Sequence, residues 1–254
     1  MSGKVTVKQT IFQTGTTKLA VPITATTAQA VLTAAQTIKT AKPDVVEWRL
    51  DFFKPALIDH SLTKTTALKL RKLLGKILLL TTFRTTHEGG NQPISDEAYF
   101  QLYDWLIQNQ LTDMLDIELN RDSNRVAALI QSAHDHHIAV ILSNHDFTAT
   151  PTEAELVDRL TQMQDQHADI GKIAVMPQKP EDVTTLLKAT RTASERLKIP
   201  IITMSMGELG KITRISGRQT GSVLSFATVG QASAPGQIPI EALRREMNTT
   251  ESKN

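Results

Sequence analysis

The sequence predicts an α/β fold, a single-domain (β/α)8 TIM barrel with an N-terminal β-hairpin. Three observations indicate it: apolar runs alternate with helical periods, each kind occurs eight times, and 254 residues suit one such barrel. A doubly wound open sheet is the alternative, but no Gly-x-Gly-x-x-Gly follows the first strand. No linker or low-complexity segment interrupts residues 1–254, so we expect one domain.

The predicted elements follow one another regularly along the chain. Residues 1–17 contain an alternating apolar segment that predicts the hairpin, and the polar tail 248–254 is expected to fray. Short apolar runs predict strands at Leu19–Ile23, Val45–Leu50, Ile77–Thr82, Met114–Leu119, Ile138–Ser143, Gly171–Val175, Ile199–Met204 and Val223–Thr228. Helical periodicity, with capping residues such as Ser95 and Thr152, predicts helices at Thr27–Lys39, Ile58–Leu74, Asp96–Asn109, Ser123–His136, Thr152–Gln166, Glu181–Lys198, Glu208–Ile215 and Ile240–Met247.

Composition excludes several classes of protein. The chain has no cysteine, so it has no disulfide, thiolate metal site or cysteine nucleophile, which fits a reducing cytoplasm. Its start lacks the apolar segment of a secretory signal, and no apolar run approaches the roughly 18 residues of a membrane helix. A net charge of +2 is too small to indicate nucleic-acid binding. We expect a cytoplasmic protein that binds neither nucleic acid nor a membrane.

Unusual polar residues gather at or just beyond the carboxyl ends of the predicted strands. This is the end where barrel enzymes keep their active sites, and structural charges have no reason to prefer it. The distribution therefore predicts an enzyme. The residues are Glu47, Arg49, Asp51, Arg84, Glu88, Asp116, Glu118, His145, Asp146, Lys172, Arg214 and the segment Ser233–Gln237.

Lys172 is the first candidate for chemistry, because it lies within an apolar run between Asp169 and Pro177. Burial disfavours an ammonium, and a neutral amine is the nucleophile that forms Schiff bases with ketones. The alternatives are a surface lysine at a strand end and a lysine paired with a carboxylate. His145 is the candidate proton carrier, with Glu88 to orient its ring; a histidine bonded to a backbone carbonyl is the alternative.

Two arginines, Arg84 and Arg214, predict an anionic substrate, since a guanidinium matches a carboxylate with two hydrogen bonds. The segment Ser233–Gln237 has the small and rigid residues of a loop that folds over a ligand, although it also fits an ordinary turn. Carboxylates in the mouth could hold Mg²⁺ or Mn²⁺, but the bases interleaved with them neutralise them. No metal is predicted.

Seven motifs, in order, resemble the type I 3-dehydroquinate dehydratase family. They are Glu47-Trp-Arg49-Leu-Asp51, Phe83-Arg84-Thr-Thr-His-Glu88-Gly-Gly90, Asp116-Ile-Glu118, Ser143-Asn-His145-Asp-Phe147, Lys172, Met204-Ser-Met-Gly207 and Ser233-Ala-Pro-Gly-Gln237. The resemblance implies dehydration of 3-dehydroquinate to 3-dehydroshikimate in the shikimate pathway. It implies that Lys172 forms an imine, that His145 is the general acid and base, and that Glu88 orients it.

For the other matching positions, the resemblance implies substrate contacts by Glu47, Arg49, Arg84, Arg214, Ser233 and Gln237, with Asp116 and Glu118 in support. It also implies that no cofactor is needed and that the protein is a homodimer. Two other functions stay open. One is a class I aldolase-like enzyme, which shares the Schiff-base lysine, and the other is a non-catalytic protein that binds sugar acids.

Overall fold

A computed structural model describes residues 3–230 and 233–251. The strands are β1 Lys4–Val7, β2 Thr10–Gln13, β3 Lys18–Ile23, β4 Val45–Arg49, β5 Leu78–Thr82, β6 Met114–Glu118, β7 Ala139–Asp146, β8 Ile170–Val175, β9 Ile201–Ser205 and β10 Leu224–Phe226. The α-helices are α1 Ala28–Thr40, α2 His60–Leu74, α3 Asp96–Gln108, α4 Ser123–Asp135, α5 Glu153–Asp165, α6 Pro180–Arg196, α7 Lys211–Ile215, α8 Gly217–Thr220 and α9 Ile240–Glu251. Short 3-10 helices occupy Lys54–Leu57 and Thr86–Glu88.

Strands β3 to β10 form one parallel sheet in the order β10-β3-β4-β5-β6-β7-β8-β9, in which each strand from β3 to β8 pairs with the next strand in sequence and β10 pairs with β3. The two end strands meet through a parallel bridge between Ile201 and Ser222, where the amide of Val223 donates to the carbonyl of Ile201 at 2.9 Å. The sheet therefore curls into an eight-stranded barrel surrounded by helices. The predicted (β/α)8 fold is confirmed.

The N-terminal hairpin is also confirmed. Strands β1 and β2 pair antiparallel, with Lys4 opposite Gln13 and Val7 opposite Thr10. Val7 and Phe12 are buried against the apolar residues of the barrel interior, including Val45. The hairpin thus belongs to the packed interior core instead of forming a free appendage.

Two apolar clusters, one on each face of the sheet, show which way the side chains of a strand point. On β8, Ile170 and Ala174 belong to the inner cluster, whereas Ile173 and Val175 belong to the outer cluster between the sheet and the helices. Because successive strand residues point to opposite faces, Lys172 points inward together with Ala174. This alternation carries the site residues into the barrel.

Several element boundaries differ from the predicted ones. Strand β7 continues to Asp146, three residues beyond the predicted end, because Asn144 to Asp146 stay paired with β8 although polar residues there look like a loop. Helix α9 continues to Glu251, so residues 248–251 of the predicted frayed tail are helical, and 252–254 lie outside the described residues. The predicted helix Glu208–Ile215 begins only at Lys211. Within the part of the chain that is described, no helix is long and apolar enough to cross a membrane.

Candidate active site

A pocket opens at the carboxyl ends of the barrel strands. It brings together nine of the residues predicted from sequence: Glu47, Arg49, Arg84, Glu88, His145, Lys172, Arg214, Ser233 and Gln237. Asp116 and Glu118 do not line it; they are buried and bond to residues that do. The polar residues that lie far apart in sequence therefore form one site.

Lys172 lies on β8 and is only 4% exposed. Its Nζ donates to Oδ2 of Asp116 at 2.7 Å and lies 4.6 Å from the centroid of the Phe226 ring. The burial agrees with the prediction, but the amine is not unpartnered. Of the alternatives considered from sequence, a lysine paired with a carboxylate is the one that the structure shows.

Arg84 connects the acids beneath the pocket. Its guanidinium donates to Oδ1 of Asp116 at 2.6 Å, to Oε1 of Glu118 at 3.1 Å and to the Ser143 hydroxyl at 3.1 Å, and it reaches Glu88 at 3.5 Å. Burial alone would raise the pKa of Asp116, but the charges of Arg84 and Lys172 outweigh burial and hold that pKa well below its usual value. Asp116 is thus a carboxylate that holds both cations in place.

His145 and Glu88 form a hydrogen-bonded pair. Oε2 of Glu88 lies 2.8 Å from Nδ1 of His145 and accepts from the His145 amide at 3.0 Å. Burial, followed by the charges of Arg84 and Lys172, lowers the pKa of His145 well below its usual value, so the ring is neutral. Burial raises the pKa of Glu88 to about 7, although Arg84 opposes the rise. A neutral imidazole that donates from Nδ1 to a carboxylate keeps Nε2 free to accept a proton.

The inward alternation also sets His145 beside Lys172. On the paired strands β7 and β8, Ser143 is opposite Lys172 and His145 is opposite Ala174. His145 is therefore one inward position closer to the mouth than Lys172, and both line the same pocket. An amine and a neutral base on adjacent strands can act on neighbouring atoms of one ligand.

The other two arginines of the pocket differ in what they bind. Arg49 donates from Nε and Nη2 to the two oxygens of Asp51, both at 2.7 Å. Arg214 is buried and bonds only weakly polar or neutral acceptors, among them the carbonyls of Phe226 at 3.3 Å and Pro235 at 3.1 Å, while its Nε has no partner. Among residues 3–230 and 233–251, no carboxylate forms an ion pair with Arg214, and burial lowers its pKa to about 10.

The loop that carries Ser233 and Gln237 is bonded within itself and to the loop after β9. The Ser233 amide donates to Oε1 of Gln237 at 2.8 Å, and the Gly207 amide donates to the carbonyl of Pro235 at 3.2 Å. Gly236 has a φ of +74°, and a methyl group there would collide with the carbonyl of Gly207. A glycine is required at this contact, which brings the loop over the pocket.

Sequence reasoning missed the apolar walls of the pocket. Met204, Met206, Phe147 and Phe226 line it, and strand alternation could have placed Met204 and Phe226 on the inward face. No local pattern reveals Phe147, which follows β7 and packs against Gly89 in the loop after β5. Over the described ranges, no cluster of three or more histidine or acidic side chains could hold a metal ion.

Known proteins resemble this chain over most of its length. The family model described as type I 3-dehydroquinase matches residues 19–254. The chain belongs to the type I 3-dehydroquinase family. It is 54% identical over 230 residues to the 3-dehydroquinate dehydratase of Lactiplantibacillus plantarum, covering 91% of each chain, and 45% identical over 249 residues to that of Klebsiella pneumoniae strain 342, covering 98% of this chain and 99% of the relative.

Solved structures of the type I 3-dehydroquinase family agree. The type I 3-dehydroquinate dehydratase of Clostridium difficile, solved with covalently modified comenic acid, superposes with a TM-score of 0.95 at 37% identity, covering 100% of this chain and 99% of that one. The Enterococcus faecalis 3-dehydroquinate dehydratase gives a TM-score of 0.89 at 41% identity, covering 96% and 98%. These two members of the family therefore share the overall fold of this chain.

Proposed function

We propose that the chain dehydrates 3-dehydroquinate to 3-dehydroshikimate, a hydro-lyase reaction of the shikimate pathway, through an imine on Lys172. One observation carries the proposal. In a member of the type I 3-dehydroquinase family, a buried lysine shares a pocket with a neutral histidine on the adjacent strand, whose ring is oriented by Glu88. The Clostridium difficile relative was solved with covalently modified comenic acid, which supports covalent chemistry by a member of this family.

The proposed reaction begins when the Lys172 amine, freed of its proton, attacks the ring ketone and water leaves, forming an iminium. The positive nitrogen withdraws electrons from the adjacent carbon and makes its C–H bond acidic. Nε2 of His145 accepts that proton, and the electron pair of the C–H bond passes towards the iminium nitrogen, which gives a neutral enamine. The enamine then returns the pair: the new carbon–carbon double bond forms, the neighbouring hydroxyl takes the proton from the histidine and leaves as water, and the iminium is restored. Water then hydrolyses the iminium, which releases the product and restores the amine.

Arg214 is the proposed anchor for the substrate carboxylate. It is the buried arginine of the pocket that no described carboxylate neutralises, and its Nε lacks an acceptor. A bound carboxylate would supply the missing negative charge in a geometry that a guanidinium favours. Arg84 and Arg49 already form ion pairs with acids of the protein. We therefore propose that they contribute positive potential to the pocket and position those acids, and that neither holds the substrate carboxylate alone.

The remaining polar residues would hold the hydroxyl groups. Glu47 accepts a bond from Thr82 at 2.8 Å and keeps a lone pair free at the pocket wall. Ser233 and Gln237 bond to each other, with Nε2 of Gln237 donating to the Ser233 hydroxyl at 3.0 Å. Exchange of this internal bond for substrate hydroxyls would close the loop over the ligand.

The test is an assay of purified protein with 3-dehydroquinate. Growth of the absorbance of the conjugated enone supports the dehydratase, and a folded protein that shows none contradicts it. A class I aldolase-like enzyme would instead release a carbon fragment without forming the enone. A binding protein would retain 3-dehydroquinate unchanged in equilibrium dialysis and would form no adduct with borohydride.

We further propose a homodimer in the cytoplasm. The dimer rests on the resemblance to the family, and the location is supported by the absence of cysteine from the sequence. Light scattering coupled to size-exclusion chromatography measures the mass in solution. A mass equal to that of a single 28.0 kDa chain at micromolar concentration contradicts the dimer.

A further inference from the structure

A chain of hydrogen bonds enters the site from the helix layer outside the barrel. Asn144 lies on β7 between two inward residues, opposite Ile173 of the outer cluster, so its side chain faces the helices. Its Nδ2 donates to Oε1 of Glu88 at 3.2 Å. On α5, Nη1 of Arg159 donates to Oδ1 of Asn144 at 2.7 Å. The route therefore runs from Arg159 through Asn144 and Glu88 to His145.

We infer that Asn144 and Arg159 are positioning residues, which keep Glu88 as the acceptor of the His145 Nδ1–H. Arg159 offers only donors, so it fixes the side-chain amide of Asn144 with its oxygen outward and its NH₂ towards Glu88. An amide NH₂ donates but cannot accept, and it therefore favours the carboxylate form of Glu88 over the acid. The inference rests on the proposed function for its kinetic consequences.

The direction in which Glu88 shares its proton decides whether His145 can act as a base. If Glu88 is a carboxylate, the ring carries its proton on Nδ1 and Nε2 is free to accept. If Glu88 is protonated, it donates to Nδ1, the ring proton moves to Nε2, and no acceptor faces the pocket. Burial raises the pKa of Glu88 to about 7, so near neutral pH the two protonation states of the pair are close in free energy. One hydrogen bond to Glu88 is then enough to change which state is favoured.

Other charges face this pair from every surrounding strand, and none of them fixes the Asn144 amide. Arg84 favours the carboxylate of Glu88, whereas Glu118 and Asp116 disfavour it. The charged groups around the pair are Arg49 from β4, Arg84 after β5, Asp116 and Glu118 from β6, and Lys172 from β8. All of them lie on the inner side of the sheet or at the mouth, so among the residues that the structure describes only Asn144 contacts Glu88 from the helix layer.

The matched variants are Asn144→Ala, Arg159→Leu and the control Arg125→Leu. Arg125 lies on the neighbouring helix α4, is also partly exposed, and bonds Glu97 and the Phe100 ring without contacting the mouth. We expect Asn144→Ala to move the acidic midpoint of the kcat profile upward by about one pH unit, the tenfold change that loss of one hydrogen bond to a charged group causes. At pH 7 kcat should fall about fivefold and recover at pH 9, with KM unchanged.

Arg159→Leu should give a smaller shift in the same direction, because the amide is then free to turn over, and Arg125→Leu should give none. A loss that is equal at all pH values, or an equal shift in Arg125→Leu, overturns the inference. Arg159→Leu removes a partly exposed side chain, so it stays informative if Asn144→Ala does not fold.

A second measurement needs no turnover. The ¹⁵N shifts of the His145 ring, assigned by their loss in His145→Gln, report which nitrogen carries the proton. We expect the exchange from Nε2–H to Nδ1–H on raising the pH to occur at a higher pH in Asn144→Ala than in the wild type. Identical titrations contradict the inference. A wild type that titrates as expected but forms no enone contradicts the proposed function alone.

Discussion

The two ends of the barrel both carry acids with basic partners, but the partners differ in exposure. At the amino ends of the strands, Asp44, Asp113 and Asp169 each precede a strand and accept a hydrogen bond from the first or second backbone amide of the strand before it in the sheet. Asp113 also binds Lys8 at 2.7 Å and Arg71 at 3.1 Å, and the side chains of these two bases are 38% and 32% exposed.

At the carboxyl ends, the bases are buried with the acids. Asp116 binds Arg84 at 2.6 Å and Lys172 at 2.7 Å, and the side chains of both bases are 5% exposed. A similar contrast separates two histidines. His134 bonds Asp169 at the amino end with both groups partly exposed, whereas His145 and Glu88 are nearly enclosed.

The difference teaches that position in the barrel alone does not identify reactive charges. The partly exposed bases pair with their acids at a small cost in desolvation, because water still screens each charge. These pairs connect the hairpin and α2 to the sheet. Desolvated charges depend on one another, so each pKa at the mouth is set by its neighbours. The reasoning that structural charges have no reason to gather at one end was incomplete, because the amino end has its own set.

Replacement of Lys172 or Lys8 by alanine gives the largest expected contrast in turnover. Lys172→Ala should lower turnover by at least about 10⁴-fold, since no other described amine is enclosed in the pocket to form the imine. Lys8→Ala, which removes the solvated partner of Asp113, should keep turnover near that of the wild type. The enone assay measures both. Equal losses in the two variants would show that the enclosed lysine has no special role.

The two histidines give the next contrast. His145→Ala should lower kcat by about 10²–10⁴-fold, the usual cost of losing a general acid and base, while borohydride still traps the imine on Lys172. His134→Ala removes the partly exposed partner of Asp169 and should leave kcat unchanged. Turnover of His145→Ala close to the wild type would remove the proton-transfer role from this residue.

The free energy of unfolding should distinguish Asp116 from Asp113. Asp116→Asn leaves Lys172 buried without a carboxylate and should lower the free energy of unfolding by about 3 kcal/mol. Asp113→Asn leaves bases that water can solvate, and a loss of about 1 kcal/mol is expected. Urea denaturation followed by circular dichroism measures both values. A larger loss for Asp113→Asn would reverse the ranking of the two ends.

The pH dependence of stability gives a further expected effect. Because the pKa of Glu88 is raised to about 7 from 4.5, the folded state holds a proton there that the unfolded state releases. This contribution is complete below about pH 4.5 and is lost as the pH rises through about 7, by on the order of 1 kcal/mol per pH unit. Asp116, whose pKa is lowered, contributes in the opposite sense, and its contribution is lost only in acid. In Glu88→Gln, the free energy of unfolding should change less with pH between pH 5 and 7 than in the wild type. An unchanged slope would show that groups other than Glu88 cause the pH dependence.

The barrel could be predicted because eight apolar runs alternate with helical segments in a chain of the right length for one barrel. The hairpin could be predicted from the alternation of apolar and polar residues in 4–13. The sequence also placed Lys172 on a buried strand. It could not give the partners of each charge, since the contact of Lys172 with Asp116 joins residues 56 positions apart. The end of β7 was missed because Asn144 and His145 are polar, and the link from Arg159 to Asn144 needs the packing of α5 against the sheet.

Peptide mapping after borohydride reduction in the presence of 3-dehydroquinate tests the central proposal most directly. If the enclosed amine captures the ketone, the reduced adduct appears on the peptide that contains Lys172 and is absent without the ligand. Asp116 should compete for the amine, so labelling should increase in Asp116→Asn provided that the variant is folded. An adduct on a solvated lysine such as Lys8, or no adduct in a protein that forms the enone, would contradict the mechanism.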